Sequence, residues 1–369
     1  MDDHGDIYVL GEFRGPVDFD PGPGVHVHTS ESSSATFLSK FNSSGQFLWL
    51  RVLESTYYIY PMGLAADSTG GVYILGSFRG TVDFDPGPGV EEHTVDEWPE
   101  CSSLAKFDSN GSFQWVRIWR AGGYSVAEAI SADGAGDIYV TGDFWGTIDL
   151  DPGPGTDEYE SEHDQDNYIS KFNSDGEFLW ARTWGSEGQD YSYGIKADAS
   201  GNVYVAGTYN EISSALGDMV YSTGNGEAFL RKYDSSGLCR WDLILAKDGE
   251  NRATDIAADD SDNVYVTGYF EGITDFDPGF GKDEHASNGY KDIFLLKVDP
   301  SGGLQWACTW GGKFYDLGET VAVDSFSNAY IAGTFNDTVD FDPGPGCCEH
   351  TTLGCTEMFM TKILPGGNW

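Results

Sequence analysis

Short apolar runs, each closed by a polar turn, fill this chain from end to end. Three phrases recur in step. "GDIYVLGEF" at 5–13 returns as "GGVYILGSF" from 70, "GDIYVTGDF" from 136, "GNVYVAGTY" from 201, "DNVYVTGYF" from 262 and "SNAYIAGTF" from 327. "FLSKFNSSGQFLW" at 37–49 has partners from 103, 168, 229 and 294, and a clipped copy, "FMTKILPGGNW", ends the chain. "GLAAD" at 63–67 recurs as "AISAD", "GIKAD", "DIAAD" and "TVAVD", closing on Asp133, Asp198, Asp259 and Asp324. Val, Ile, Tyr, Phe and Trp dominate these runs, and such side chains fit a pleated, packed surface. No segment of a dozen residues carries a helical stripe.

Each unit therefore reads as four short strands. The first ends in the aspartate of "xxAD". A turn follows, in which Asp binds the backbone two residues on and Gly supplies a positive φ. The second strand is "VYVxG", the third "xLxKF", and "NSSG" or "DSNG" turns the chain into the fourth, "xFLW". The second strand is apolar at nearly every position (Val203, Tyr204, Val205, Ala206), which implies burial on both faces. One thin sheet cannot provide that alone, but a stack of sheets can. Six units closed as blades leave only short, protected edges. The fold expected is all-β: a six-bladed β-propeller of four-stranded antiparallel blades, one domain over 1–369. Its units run approximately 1–62, 63–128, 129–193, 194–254, 255–319 and 320–369. A solenoid is the alternative. Trp49, Trp115, Trp180, Trp241, Trp306 and Trp369 hold one place in the fourth strand, which assigns them to packing between blades.

A fourth phrase, "VDFDPGPG", stands at 17–24, 82–89 and 339–346, with variants "IDLDPGPG" at 148–155 and "TDFDPGFG" at 274–281. The combined pattern "D…GNVYVTG…DFDPGPG…FLxKxDSxGxxxW" resembles the SBBP-type β-propeller repeat of secreted and surface proteins of bacteria. The resemblance covers essentially the whole chain. It implies an extracellular or cell-surface propeller, often one module of a larger protein, and carries no fixed activity. The fourth unit departs from it, with "NEISSALGDMVYSTGNG" in place of the acidic phrase. The end units are expected to be incomplete: the first lacks its first strand and the sixth its fourth. A neighbouring copy or neighbouring repeats could then add a strand at an open edge, and head-to-tail addition that does not close builds a filament.

The 369 residues include 60 acidic against 20 basic, a formal net charge of −40. Such a surface repels nucleic acid and anionic membranes, which require Lys/Arg patches. No window has the eighteen or so consecutive apolar residues of a membrane span, so neither nucleic acid nor membrane insertion is expected. The surface attracts cations. The six cysteines form no CxxC pair; Cys347 or Cys348 could bond Cys355 across a short loop, Cys348 with Cys355 being the candidate disulfide, which suits an oxidising compartment. Asn42, Asn110 and Asn336 open Asn-x-Ser/Thr sequons, candidate glycan sites, two of them in hairpin turns.

The acidic phrase supplies candidate metal ligands in pairs: Asp18 and Asp20, Asp83 and Asp85, Asp149 and Asp151, Asp275 and Asp277, Asp340 and Asp342. Two apart on a strand, both would face one side, roughly 6–7 Å apart. With loop carbonyls they could hold Ca²⁺, which takes six to eight oxygens. The bland reading is a turn, for which Asp-Pro-Gly suffices. His28, His93, His285 and His350 follow at a constant offset, with Tyr159 in the third unit and His163 nearby; they are strand-start fillers or the third ligand of a metal triad. No catalytic motif breaks the repeat. The expectation is a noncatalytic propeller used for assembly or adhesion. A lectin-like propeller binding glycans is the alternative. A polysaccharide-acting enzyme using a carboxylate pair is the second.

Overall fold

The computed structural model describes residues 5–30, 34–96, 98–120, 122–162, 164–210, 226–246, 249–279, 281–344 and 346–369. Most of the fourth unit's departing segment, and His163, lie outside these residues. Among the described residues all regular structure is β-strand.

The architecture is a six-bladed β-propeller with mostly four-stranded antiparallel blades. The turn between first and second strand shows how the sequence makes a blade. The Asp67 Oδ1 accepts from Thr69 N–H (2.9 Å) and Gly71 N–H (2.8 Å), and its Oδ2 accepts from the Tyr73 hydroxyl (2.8 Å). One carboxylate thus shapes the turn and fixes the buried Tyr73 of the strand that follows. Gly70, Gly136 and Gly201 take the left-handed conformation that the turn requires; in the fifth and sixth units Asp262 and Ser327 adopt it, at φ 59° and 60°. Asp tolerates that region better than most side chains, and for Ser it stores strain.

By its contacts the chain divides into two compact units. One comprises 1–161, 168–183 and 199–201, and the other 162–167, 184–198 and 202–369. In the first unit, the first blade holds Ile7–Phe13, Ala35–Phe41 and Phe47–Glu54. The second holds Tyr58–Ala66, the long strand Val72–Asp83, Cys101–Phe107 and Phe113–Trp119. Tyr8, Leu38, Val72, Ile74 and Phe78 form the core between them. Tyr73, Leu104, Ile138, Val140 and Phe144 form the core against the third blade.

In the second unit the fourth blade holds Tyr191–Ala197, Val203–Tyr209, Glu227–Tyr233 and Cys239–Ala246. The fifth holds Arg252–Ala258, Val264–Phe270, Asp292–Val298 and Leu304–Trp310, and the sixth Leu317–Val323, Ala329–Phe335 and Glu357–Ile363. Tyr204, Leu230, Val264 and Val266 join the fourth blade to the fifth; Ile293, Leu295, Ala329 and Ile331 join the fifth to the sixth. In both units the core lies between blades. That is why Val203–Tyr209 and Val264–Phe270 are buried at every position. Among the described residues the first and sixth blades have three strands each.

A polar lattice repeats at the junctions. In all six blades the third-strand lysine stands over the second-strand tyrosine, 4.8–5.2 Å from the ring centre: Lys40 on Tyr8, Lys106 on Tyr73, Lys171 on Tyr139, Lys232 on Tyr204, Lys297 on Tyr265 and Lys362 on Tyr330. Such stacking adds about 0.5–2 kcal/mol where water is excluded. The same lysine and the fourth-strand tryptophan then reach the next blade's hairpin turn. Lys40 Nζ and Trp49 Nε1 both donate to the Ser109 carbonyl, each at 3.2 Å. Lys232 and Trp241 share the Pro300 carbonyl in the same way, and Trp306 donates to that of Pro365. Trp49, Trp115, Trp241 and Trp306 therefore pack between blades, as their place in the repeat predicts, whereas Trp369 donates to Thr361 of its own blade at 2.7 Å.

Asp259 ties turn, tyrosine and lysine together: its carboxylate accepts from Ser261 N–H, Asn263 N–H and Asn263 Nδ2 (each 3.0 Å) and lies 3.3 Å from both the Tyr265 hydroxyl and Lys297 Nζ. Burial alone would raise its pKa, but these donors outweigh it and hold the carboxyl below the usual range. Removing one partner of such a buried pair strands the other. Asp259→Ala is expected to cost about 3–5 kcal/mol in urea unfolding, and Asp259→Asn less, because the turn keeps an acceptor.

Candidate functional site

Each acidic phrase opens a small hairpin. Pro16–Asp18 pairs Val27–Thr29, Thr147–Asp149 pairs Glu158–Glu160, Ile273–Asp275 pairs Glu284–Ala286, and Thr338–Asp340 pairs Glu349–Thr351. In the second blade the long strand runs on to Asp83 and pairs Glu92–Val95. The strand ends at the first aspartate of each phrase and the second lies in the loop. The pair therefore does not share a strand face, as the two-residue spacing predicts, because proline after the second aspartate turns the chain away.

The carboxylates brace their own loop. Asp83 Oδ1 accepts from Asp85 N–H (3.0 Å) and, across the loop, from Glu91 N–H (2.8 Å). Asp85 Oδ1 accepts from Gly87 N–H at 2.8 Å. The same three bonds recur for Asp18 and Asp20, Asp149 and Asp151, Asp275 and Asp277, and Asp340 and Asp342. The second carboxylate presses on the last glycine: a Cβ at Gly89 would meet Asp85 Oδ2 at 2.1 Å. Between the aspartates, Phe19, Phe84, Leu150, Phe276 and Phe341 are buried as anchors. Asp, an apolar residue, Asp and the closing Gly thus each have a structural reason to recur. Among the described residues no group of three or more His, Cys, Asp or Glu is arranged to hold a metal ion.

Three of the histidines pack on the buried anchors. Rings of His93, His285 and His350 pack edge-on against Phe84, Phe276 and Phe341. Their polar atoms meet nearer neighbours: His93 Nε2 lies 2.9 Å from Glu91, His285 Nε2 3.4 Å from Asp283, and His350 Nε2 3.5 Å from Cys348 Sγ. The Tyr159 hydroxyl donates to Asp157. His28 lies 4.0 Å from Glu54. With Thr29, Val52 and Asp83 these two line an open cleft of about 380 Å³, a grouping that no sequence spacing reveals.

All six cysteines are free thiols. The expected Cys348–Cys355 bond is not formed: Cys348 faces His350, and Cys355 is exposed beyond the hairpin strand. Asn42 and Asn110 sit in hairpin turns. The Asn42 side chain bonds within its turn (Oδ1 to Gln46 N–H, 2.9 Å), Asn110 is exposed, and the Asn336 amide donates to the Tyr315 carbonyl at 3.0 Å.

Sequence reasoning passed over a set of buried acids in the second unit. Asp190, whose carboxylate accepts from Ser186 and Asn210 N–H, is pushed up to about 7 by burial. Asp292 is pushed up to about 6 by burial with the charge of Asp316 adding, and burial also raises Asp316. Their signal in the sequence is an acid at the border of apolar strands, in "QDYSY", "KDIFLL" and "YDLGE".

No family model matches the chain. An uncharacterized WD repeat-containing protein of Acanthamoeba polyphaga mimivirus is 24% identical over 447 residues, covering 100% of this chain and 32% of the relative. The chain thus spans about a third of that relative's length. A protein of unknown function from Bacteroides caccae superposes over 90% of this chain and 87% of its own, at 9% identity and TM-score 0.43. The Neurospora crassa Pan2 WD40 domain does so over 73% and 85%, at 8% identity and TM-score 0.30. The chain is similar to WD-repeat proteins and is a β-propeller.

Two outcomes follow from this geometry. Asp83→Ala removes an acceptor from two N–H groups and should cost on the order of 1–3 kcal/mol. Melting in EDTA and in calcium checks it: equal losses mark a loop brace, and a loss confined to calcium marks a cation site. Second, between the unfolded carboxyl pKa near 4 and the raised folded values of Asp292 and Asp190, the native state binds protons that the unfolded chain does not. Stability should therefore rise as pH falls from 7.5 to 5. Asp292→Asn should raise the pH 7.5 melting temperature and shrink that difference.

Proposed function

We propose that this chain is a noncatalytic interaction propeller, displayed outside the cell as a building block of a surface assembly, fibre or adhesin. The observation that carries this reading is the repetition of the acidic hairpins: every candidate carboxylate pair recurs and braces its own loop, which favours architecture over catalysis. Among the described residues the outermost strand of a complete blade, such as Phe113–Trp119, pairs on one side only, and an open strand edge is a template for another chain. The extracellular placement rests on the resemblance to SBBP-type repeats, and Asn110, exposed in a turn, suits a glycan.

A second reading, sugar binding, is favoured by the open cleft of His28, Thr29, Glu54 and Asp83, whose polar groups could bond hydroxyls. Antibody labelling of intact cells and micrographs of the native material test the first reading. Surface label and strung particles are expected; label only in permeabilised cells refutes it. Glycan-array binding that is lost in Glu54→Ala would transfer the function to the cleft.

A further inference from the structure

The hairpin of the sixth blade breaks the repeat at one place. In the second, third and fifth hairpins a carboxylate stands two residues before a ring and meets that ring's polar atom. Glu91 lies 2.9 Å from His93 Nε2, Asp157 accepts from the Tyr159 hydroxyl at 3.0 Å, and Asp283 lies 3.4 Å from His285 Nε2. In the sixth hairpin Cys348 takes the place of the carboxylate, and its Sγ lies 3.5 Å from His350 Nε2. Access to this thiol follows from the hairpin itself. The second and fifth hairpins belong to blades with a neighbour on either side in their own units, and their equivalent side chains still reach solvent: Glu91 is 45% and Asp283 42% exposed. The preceding place, held by Cys347 in the sixth hairpin, is 72% exposed at Val90 and 66% at the Lys282 side chain.

The geometry points to a thiol-exchange site: Cys348, with His350 beside it, attacks a disulfide that carries positive charge and retains half of it as a mixed disulfide. This chemistry goes beyond the assembly reading and does not depend on it. The thiolate is the attacking form of a cysteine, and a neighbouring imidazole promotes it. His350 accepts the Cys348 proton. The sulfur then bonds one sulfur of the disulfide while the old S–S bond breaks, and the bonding pair leaves on the second sulfur, which takes a proton and departs as a thiol. Cys348 is oxidised and the departing sulfur is reduced, so no further oxidant enters. The other thiols are less suited. Burial raises Cys101 and Cys239 and pushes Cys308 up to about 12. Desolvation and the charge of Asp340 raise Cys347, whose thiol bonds that carboxylate. Cys355 is exposed, and among the described residues it has no histidine contact. The preference for positive charge follows from the surroundings. Asp340 Oδ1 accepts from Cys348 N–H at 2.7 Å, Glu349 is the next residue, and the chain carries a net −40, a field that concentrates cations.

The reduced whole chain, mixed with cystamine (a dication) or with oxidised glutathione (an anion) and mapped by mass spectrometry, tests this. Cys348 is expected to form the mixed disulfide about tenfold faster than Cys355 of the same molecules. Cystamine should react about tenfold faster than oxidised glutathione at low salt, the gap narrowing as salt is added. His350→Gly should bring Cys348 down to the rate of Cys355, and added imidazole should restore it, with the unchanged rate of Cys355 as the control for folding. A lysine-flanked peptide disulfide separates the sources: capture faster than cystamine assigns a protein-borne disulfide, slower capture a small one, and both support the site. Cys348 reacting no faster than Cys355, or a loss in His350→Gly that imidazole does not restore, overturns the site. Equal rates with the cationic and anionic disulfides overturn its charge preference. Either failure leaves the assembly reading standing, since surface labelling and micrographs decide that one.

Discussion

Everything in this protein depends on blades covering one another. A sheet of three or four short strands has two apolar faces, and neither can stay in water. Ile293 and Leu295 are on the opposite face of their strand from Phe294 and Leu296, and each pair belongs to a different core. Alternation along a strand thus commits every blade to two neighbours. The polar lattice fixes the register of that contact, since apolar packing alone has little direction. A lysine stacked on a tyrosine and bonded to the neighbour's turn carbonyl has one good position. The Asp259 carboxylate then neutralises Lys297, which would be costly to bury alone.

The acidic phrase belongs to the same economy of structure. Its repetition invites a ligand reading, yet its four informative positions each have a mechanical role. Asp83 spans the loop, Phe84 anchors it in the core, Asp85 caps the turn and Gly89 yields space to that carboxylate. His93, His285 and His350 are ring packers whose nitrogens meet Glu91, Asp283 and Thr309, and Cys348.

Charge acts at two levels. The excess of acids gives a strongly repelling surface. Beneath it a few carboxylates lie in places that disfavour ionisation, such as Asp190 and Asp292, while Asp259 and Asp324 are held ionised by the donors around them. Acid therefore has opposite effects on the two sets, the first relieved and the second lost as protons bind.

The sequence by itself determined the strands, their order in each blade, the turns and the place of most of the tryptophans, because those follow from local rules: period-two burial, Asp and Gly in turns, and repetition of units. Only the tertiary structure decided where side chains distant in the chain meet. It moved the second aspartate of each pair off the strand, left Cys348 and Cys355 apart, gathered His28, Glu54 and Asp83 around one cleft, and buried Asp292 with Asp316. The physical reason is that a two-residue spacing reports a direction only while the chain stays extended. Contacts between units depend on how sheets stack, which no spacing within one unit records.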